Sequence, residues 1–311
     1  MGEVTPVEPW REIAARVSNW GRWGTADEKG TLNFITPAVV AHAATLAHNG
    51  KVFAMAIPFD ETGPQDGKIR SNPMRYMRET GHSDQGYKGV FRYADDVVFM
   101  ALQSASQWDA LAHVHYDGKI FNGFSIDTIT ERGAQHGAIT NLNPGVVSRG
   151  VLIDVAGYKK VDWLEKGYAI SPEELEEVIA HQKVEIKSGD VLLIRTGWRN
   201  RYTHDLDKAA FKAGEPGLSV RCLDWLAKNE IAAVGSDNYA VEVIPPEYPD
   251  QDLPFHLIAI RDMGMPLAEI LDFETLAADC ATDGVFEFLF VGAPLPFTRG
   301  VGSPVNPIAI K

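Results

Sequence analysis

The chain has 311 residues, 45% hydrophobic and 23% charged, which suits a soluble globular protein with a sizeable core. Its formal net charge is −13 with no run of lysines or arginines to offset it, so binding to a phosphate backbone is not expected. Two isolated cysteines, Cys222 and Cys280, make neither a disulfide framework nor a four-thiolate zinc site, and no apolar run approaches the roughly 20 residues of a membrane span.

The opening Met1-Gly2-Glu3 lacks a basic segment followed by an apolar one, so no signal peptide is expected and a reduced, cytoplasmic protein is the reading. Residues 1–35 form an arm rich in tryptophan and glycine, centred on Trp20-Gly21-Arg22-Trp23-Gly24, that is expected to be ordered by packing. Thr36 can cap a helix that Pro37 begins and Asn49-Gly50 ends. Residues 52–58 read as a strand. Residues 59–95 are polar and without period, long enough for a lid or a subunit contact. The apolar run 97–102 reads as a buried strand, as do 151–155, 191–195, 232–236 and 285–291. Helices lie between them, one capped by Ser171 ahead of Pro172 and another starting at Ser219. Strands alternating with helices, with no linker and no repeat, predict a single α/β domain over residues 1–311.

The chemistry concentrates after residue 102, where Asp109, His113 and His115 fall within seven residues. Asp109 and His113 are four apart, which places them on one side of a strand or a helix and lets both reach one ion. His115 is two beyond His113 and would point the same way in an extended strand, as a general base should. His136, set beside Gly137, is the other candidate base. Asp237 follows a buried strand, where it could serve function or cap a turn; Thr196 is expected to tie down a loop. No phosphate-binding loop and no nucleophile elbow occurs.

Several stretches together resemble a known family. Gln103 to His113 is similar to the signature His-x-Gly-Thr-His-x-Asp-x-Pro-x-His of the cyclase family that includes bacterial kynurenine formamidase and isatin hydrolase. Asp109 matches the aspartate and His113 the last histidine; Gln103, Gln107 and Leu111 stand in place of the first two histidines and the proline. Residues 149–154, 189–198, 235–239 and 302–305 resemble further family segments, and Pro254-Phe255-His256 followed by Glu269 resembles its second pair of metal ligands. The resemblance implies the family's swivelling β/β/α fold and a homo-oligomer, a dimer or tetramer. It implies one divalent ion per chain, zinc or manganese, on Asp109, His113, His256 and Glu269. It also implies that Gln103, Gln107 and Trp108 line the site, with His115 or His136 as the base. The expected activity is hydrolysis of an amide, cyclic amide or lactone in a small aromatic or cyclic molecule by metal-activated water. A metal-dependent cyclase or dehydratase, and a metal-poor binding protein, are the alternatives.

Overall fold

A computed structural model describes residues 8–205 and 207–311, and its frame is a nine-stranded mixed sheet. In chain order the strands are β1 (Val52–Ala54), β2 (Gln107–Asp109), β3 (Val146–Asp154), β4 (Val191–Arg195), β5 (Ala233–Ser236), β6 (Leu267–Glu269), β7 (Glu287–Gly292), β8 (Gly302–Pro304) and β9 (Ile308–Ile310). Across the sheet they run β1-β9-β7-β3-β4-β5-β6-β2-β8. Strands β3 to β6 are parallel to one another, and the remaining pairs are antiparallel.

The central strands are apolar on both faces because both are covered. Ile153, Leu192, Ile194, Val234 and Leu267 join one core with helices α1 (Trp10–Val17), α3 (Pro172–Gln182) and α4 (Cys222–Lys228). Their alternates Leu152, Val191, Leu193, Ala233 and Ala268 join a second core with Trp108, Phe288, Phe290 and helix α5 (Glu274–Asp283). Between α1 and α3 in the chain, α2 (Pro37–Ala44) packs on β3 and is capped by the Thr36 hydroxyl, which accepts from the Val39 N–H at 3.3 Å. Ser171 caps α3 in the same way, from the Glu174 N–H. The arm packs as expected where it is described: Ile13, Ala14 and Val17 are core residues, and the Trp20 indole donates to the Arg261 carbonyl at 2.8 Å. Residues 1–7 of the arm lie outside the described residues. Among the described residues, no helix is long and apolar enough to cross a membrane.

The sequence and the structure differ most at residues 59–102. The aperiodic segment contains a strand, Met74–Glu79, which pairs antiparallel with Asp95–Phe99 as a separate hairpin. The expected buried strand 97–102 is therefore corrected. Val97, Val98 and Phe99 are 49%, 57% and 71% exposed, because no other element among the described residues covers them. The strand that carries Asp109 is instead the three-residue β2, reached through a turn at 102–106.

Candidate metal centre

Strand β2 lies between β6 and β8, with Glu269 opposite Gln107 and Gly302 opposite Asp109. Alternation along β2 sends Trp108 to one face and Gln107 and Asp109 to the other. Trp108 is wholly buried in the second core, edge-on to Phe290 with its indole N–H donating to the Gly292 carbonyl at 3.0 Å. It is a core residue and does not line the site.

Gln107, Asp109 and Glu269 meet His256 on the opposite face. His256 ends the short turn Pro254–His256, which runs into a π-helical stretch, Leu257–Met263. Such stretches are frequent at functional sites. Glu242 fixes the histidine: one carboxylate oxygen accepts from the His256 backbone N–H at 2.8 Å and lies 3.0 Å from its Nδ1, and the other accepts from the Phe255 N–H. The opposite ring nitrogen, Nε2, is thereby aimed at Glu269, 2.7 Å away, and at Asp109, 4.0 Å away. Gln107 donates to the second Glu269 oxygen at 2.6 Å. One ligand atom each from Asp109, His256 and Glu269 lies within 4.8 Å of the others, and all three residues are buried.

The electrostatics of this cluster are unbalanced. Both Asp109 oxygens and the Gln107 amide oxygen are buried with no hydrogen-bond partner. Burial pushes the Asp109 carboxyl well above the usual carboxylate range, the neighbouring Glu269 adds to this, and His256 and Arg70 pull against it. Burial alone would push the His256 imidazole down, but hydrogen bonds to Glu242 and Glu269 outweigh it and hold it well above its ordinary value. Orphaned buried oxygens beside an oriented imidazole are what a divalent cation would satisfy, and a set of two carboxylates and one imidazole suits zinc or manganese. Glu242 supplies the outer carboxylate that metal-binding histidines characteristically have.

The backbone carries strain around these residues. Val241, Leu253 and Ile270 have φ of 60°, 49° and 55°, in the left-handed region that branched side chains avoid. They flank Glu242, the His256 turn and Glu269, and each such residue costs about 1–3 kcal/mol.

The remaining sequence-selected residues fall elsewhere. His113 is at the edge of the cluster, its Nε2 3.7 Å from Asp109, with burial pushing its imidazole down to about 4. The chain leaves extended geometry at residues 110–114, so His115 does not follow His113 into the site; it is exposed and makes no hydrogen bond or ion pair with the cluster. His136 stacks on Phe124 with centroids 4.1 Å apart, and its Nδ1 lies 2.9 Å from Glu28. Gln103 turns its side-chain amide against Gly302, where a Cβ would overlap it, rather than onto the carboxylates. Asp237 and Thr196, read separately in the sequence, are partners: the Thr196 hydroxyl and N–H and the Gly197 N–H all donate to Asp237. Sequence reasoning missed Glu242 and Arg70. A charge between two branched residues, Val241-Glu242-Val243, was the available signal for Glu242.

Comparison with known proteins agrees with this fold. The family profile described as "Putative cyclase" matches residues 43–243. A crystal structure described as a novel cyclase superposes with a TM-score of 0.89 at 36% identity, covering 96% of this chain and 99% of the other. An isatin hydrolase from Roseibium aggregatum is 26% identical over 132 residues; the match covers 40% of this chain and spans about half, 46%, of that enzyme. A protein from Bacillus stearothermophilus described as a predicted metal-dependent hydrolase shares the fold, with a TM-score of 0.53 at 19% identity, over 84% of this chain and 98% of that one. The chain belongs to the cyclase family and has its mixed α/β fold.

Proposed function

We propose that the protein is a metal-dependent hydrolase of an amide, cyclic amide or lactone bond in a small aromatic or cyclic molecule. The carrying observation is Asp109: a carboxylate 1% exposed, with neither oxygen partnered, facing His256 and Glu269. Asp109, His256 and Glu269 would hold one divalent ion. When bound, it supplies Lewis acidity toward a carbonyl and an acidified water. Glu242 holds the His256 ring so that Nε2 faces that space. Gln107 orients Glu269, and its own amide oxygen is buried without a hydrogen-bond partner. His113, whose Nε2 lies 3.7 Å from Asp109, is the imidazole beside the cluster and would take the proton there. The relatives described as an isatin hydrolase and a metal-dependent hydrolase support the reaction class.

The test is a panel of an N-formylated aromatic amine, isatin and an aromatic lactone, followed by absorbance with zinc- or manganese-loaded protein. Turnover of at least one, abolished by chelation and restored by metal, is expected. No turnover of any of them by protein holding stoichiometric metal would contradict the reading.

A second copy of the chain belongs to the same proposal. The hairpin offers Val97, Val98 and Phe99 to solvent, an apolar strip that a second copy of the chain would cover. Sedimentation velocity should find a dimer or tetramer that Phe99→Glu dissociates; a monomeric wild type would remove the oligomer.

A further inference from the structure

Three buried arginines elsewhere among the described residues are neutralised, whereas the half-buried Arg199 keeps its Nε and Nη1 without a hydrogen-bond partner. Arg149 pairs with Asp190 and Glu287, Arg195 with Asp154 and Glu274, and Arg261 with Asp262. Arg70 is different. It is half-buried, yet among the described residues its guanidinium has no carboxylate partner and makes one hydrogen bond, Nη1 donating to the Gln103 carbonyl at 3.0 Å. Gln103 in turn packs on Gly302, the residue opposite Asp109 in the sheet. Arg70 therefore stands one side chain away from the edge of the Asp109 site, and its positive charge is felt at both Asp109 and His113.

The loop that carries it is fixed. Gln65 donates to the Ser104 carbonyl at 3.0 Å, and its N–H donates to Asn72 at 2.9 Å. The Tyr202 hydroxyl donates to the Gly63 carbonyl at 3.0 Å, and Lys212 pairs with Asp66 at 2.9 Å. A guanidinium held on a pinned loop, with N–H groups unused, is preorganised for an anion. We propose that Arg70 is a substrate-recognition residue, binding a carboxylate that the small molecule carries in addition to the bond that is cleaved. This deepens the hydrolase reading and rests on it. A carboxylate is favoured over a phosphate because Asp109, Glu269, Glu242 and Glu215 are all buried at this end of the sheet and would repel a dianion more strongly.

The test compares 4-fluorobenzoate with 4-fluorobenzamide by fluorine NMR titration of zinc-loaded protein, with zinc affinity measured calorimetrically on the same samples. Wild type should bind the carboxylate at least about tenfold more tightly than the amide. Arg70→Met should lose that preference, and Arg70→Lys, which keeps the charge, should keep part of it, both still binding zinc stoichiometrically. Equal binding of the two probes by wild type overturns the proposal, whatever the variants do. So does Arg70→Met that binds the benzoate as wild type does, since the metal would then be holding it. Inorganic phosphate competing as well as the benzoate overturns the carboxylate class. Failure of zinc to bind wild type brings down the hydrolase reading and this one together; zinc bound normally with no effect at Arg70 brings down this one alone.

Discussion

Asp237 and Asp109 are both buried aspartates at the same sheet, and they could hardly be treated more differently. Asp237 accepts three hydrogen bonds, from the Thr196 hydroxyl at 2.6 Å and from the N–H groups of Thr196 and Gly197 at 2.9 and 2.8 Å. Glu215 is used in the same way, accepting from the Tyr239 and Ala240 N–H groups at 2.7 Å. Asp109 accepts nothing. A carboxylate whose oxygens are satisfied by backbone ties loops together. One whose oxygens are buried and idle is unfavourable to the fold alone, and is understandable when something outside the chain completes it.

Substitution should separate the two. The largest effect is expected for Asp109→Asn: metal affinity should fall by about a thousandfold or more, an order-of-magnitude expectation for losing one charged ligand, while the metal-free protein is as stable as wild type or more so. Calorimetric metal titration and urea unfolding of the same samples check both halves. Next, Glu242→Gln weakens the grip on His256 and should lower metal affinity about 10- to 100-fold.

Among the proton carriers, His113→Ala should lower turnover about a hundredfold, a typical general-base contribution. His115→Ala, at an exposed position, should change it less than about threefold. The reverse order would return the base to His115.

Asp237→Asn should leave metal affinity within about threefold but destabilise the fold by about 1–3 kcal/mol, because the new amide group opposes a donor it formerly accepted from. Its pH dependence has a defined sign. Burial raises the Asp237 carboxyl to about 6 against the three hydrogen bonds. The native state then holds an extra proton between about pH 4 and 6, so this group's contribution to stability falls as pH rises through that window and is level above it. The penalty of the substitution should accordingly be greater at pH 4 than at pH 7, by up to about 3 kcal/mol. A penalty independent of pH would mean that the hydrogen bonds have cancelled the effect of burial.

The same contrast explains what could be read in advance. Strand 191–195 was legible because both its faces are covered and every residue is apolar or packed, and the starts of α2 and α3 because Thr36-Pro37 and Ser171-Pro172 are local capping signals. Asp109, His256 and Glu269 were legible through a motif, since 160 residues of chain separate the first from the last and no local period links them. Strand β2 is three residues long, too short for an alternation to register, so the opposite facing of Trp108 was hidden. The placement of His115 failed because extended geometry stops at Asp109. Hydrophobicity misled at Val97, Val98 and Phe99, where apolar residues are exposed on a hairpin of this chain. Glu242 and Arg70 act through tertiary contacts to residues 14 and 33 positions away, which no sequence window reveals.

The central claim is that an ion belongs between Asp109, His256 and Glu269. Anomalous diffraction at the zinc edge, from crystals of protein loaded with one equivalent of zinc, tests it directly. The account predicts one strong peak bounded by those three side chains, lost in Asp109→Asn. A peak elsewhere, at His136 and Glu28 for example, or none with zinc present in the crystal, would contradict it.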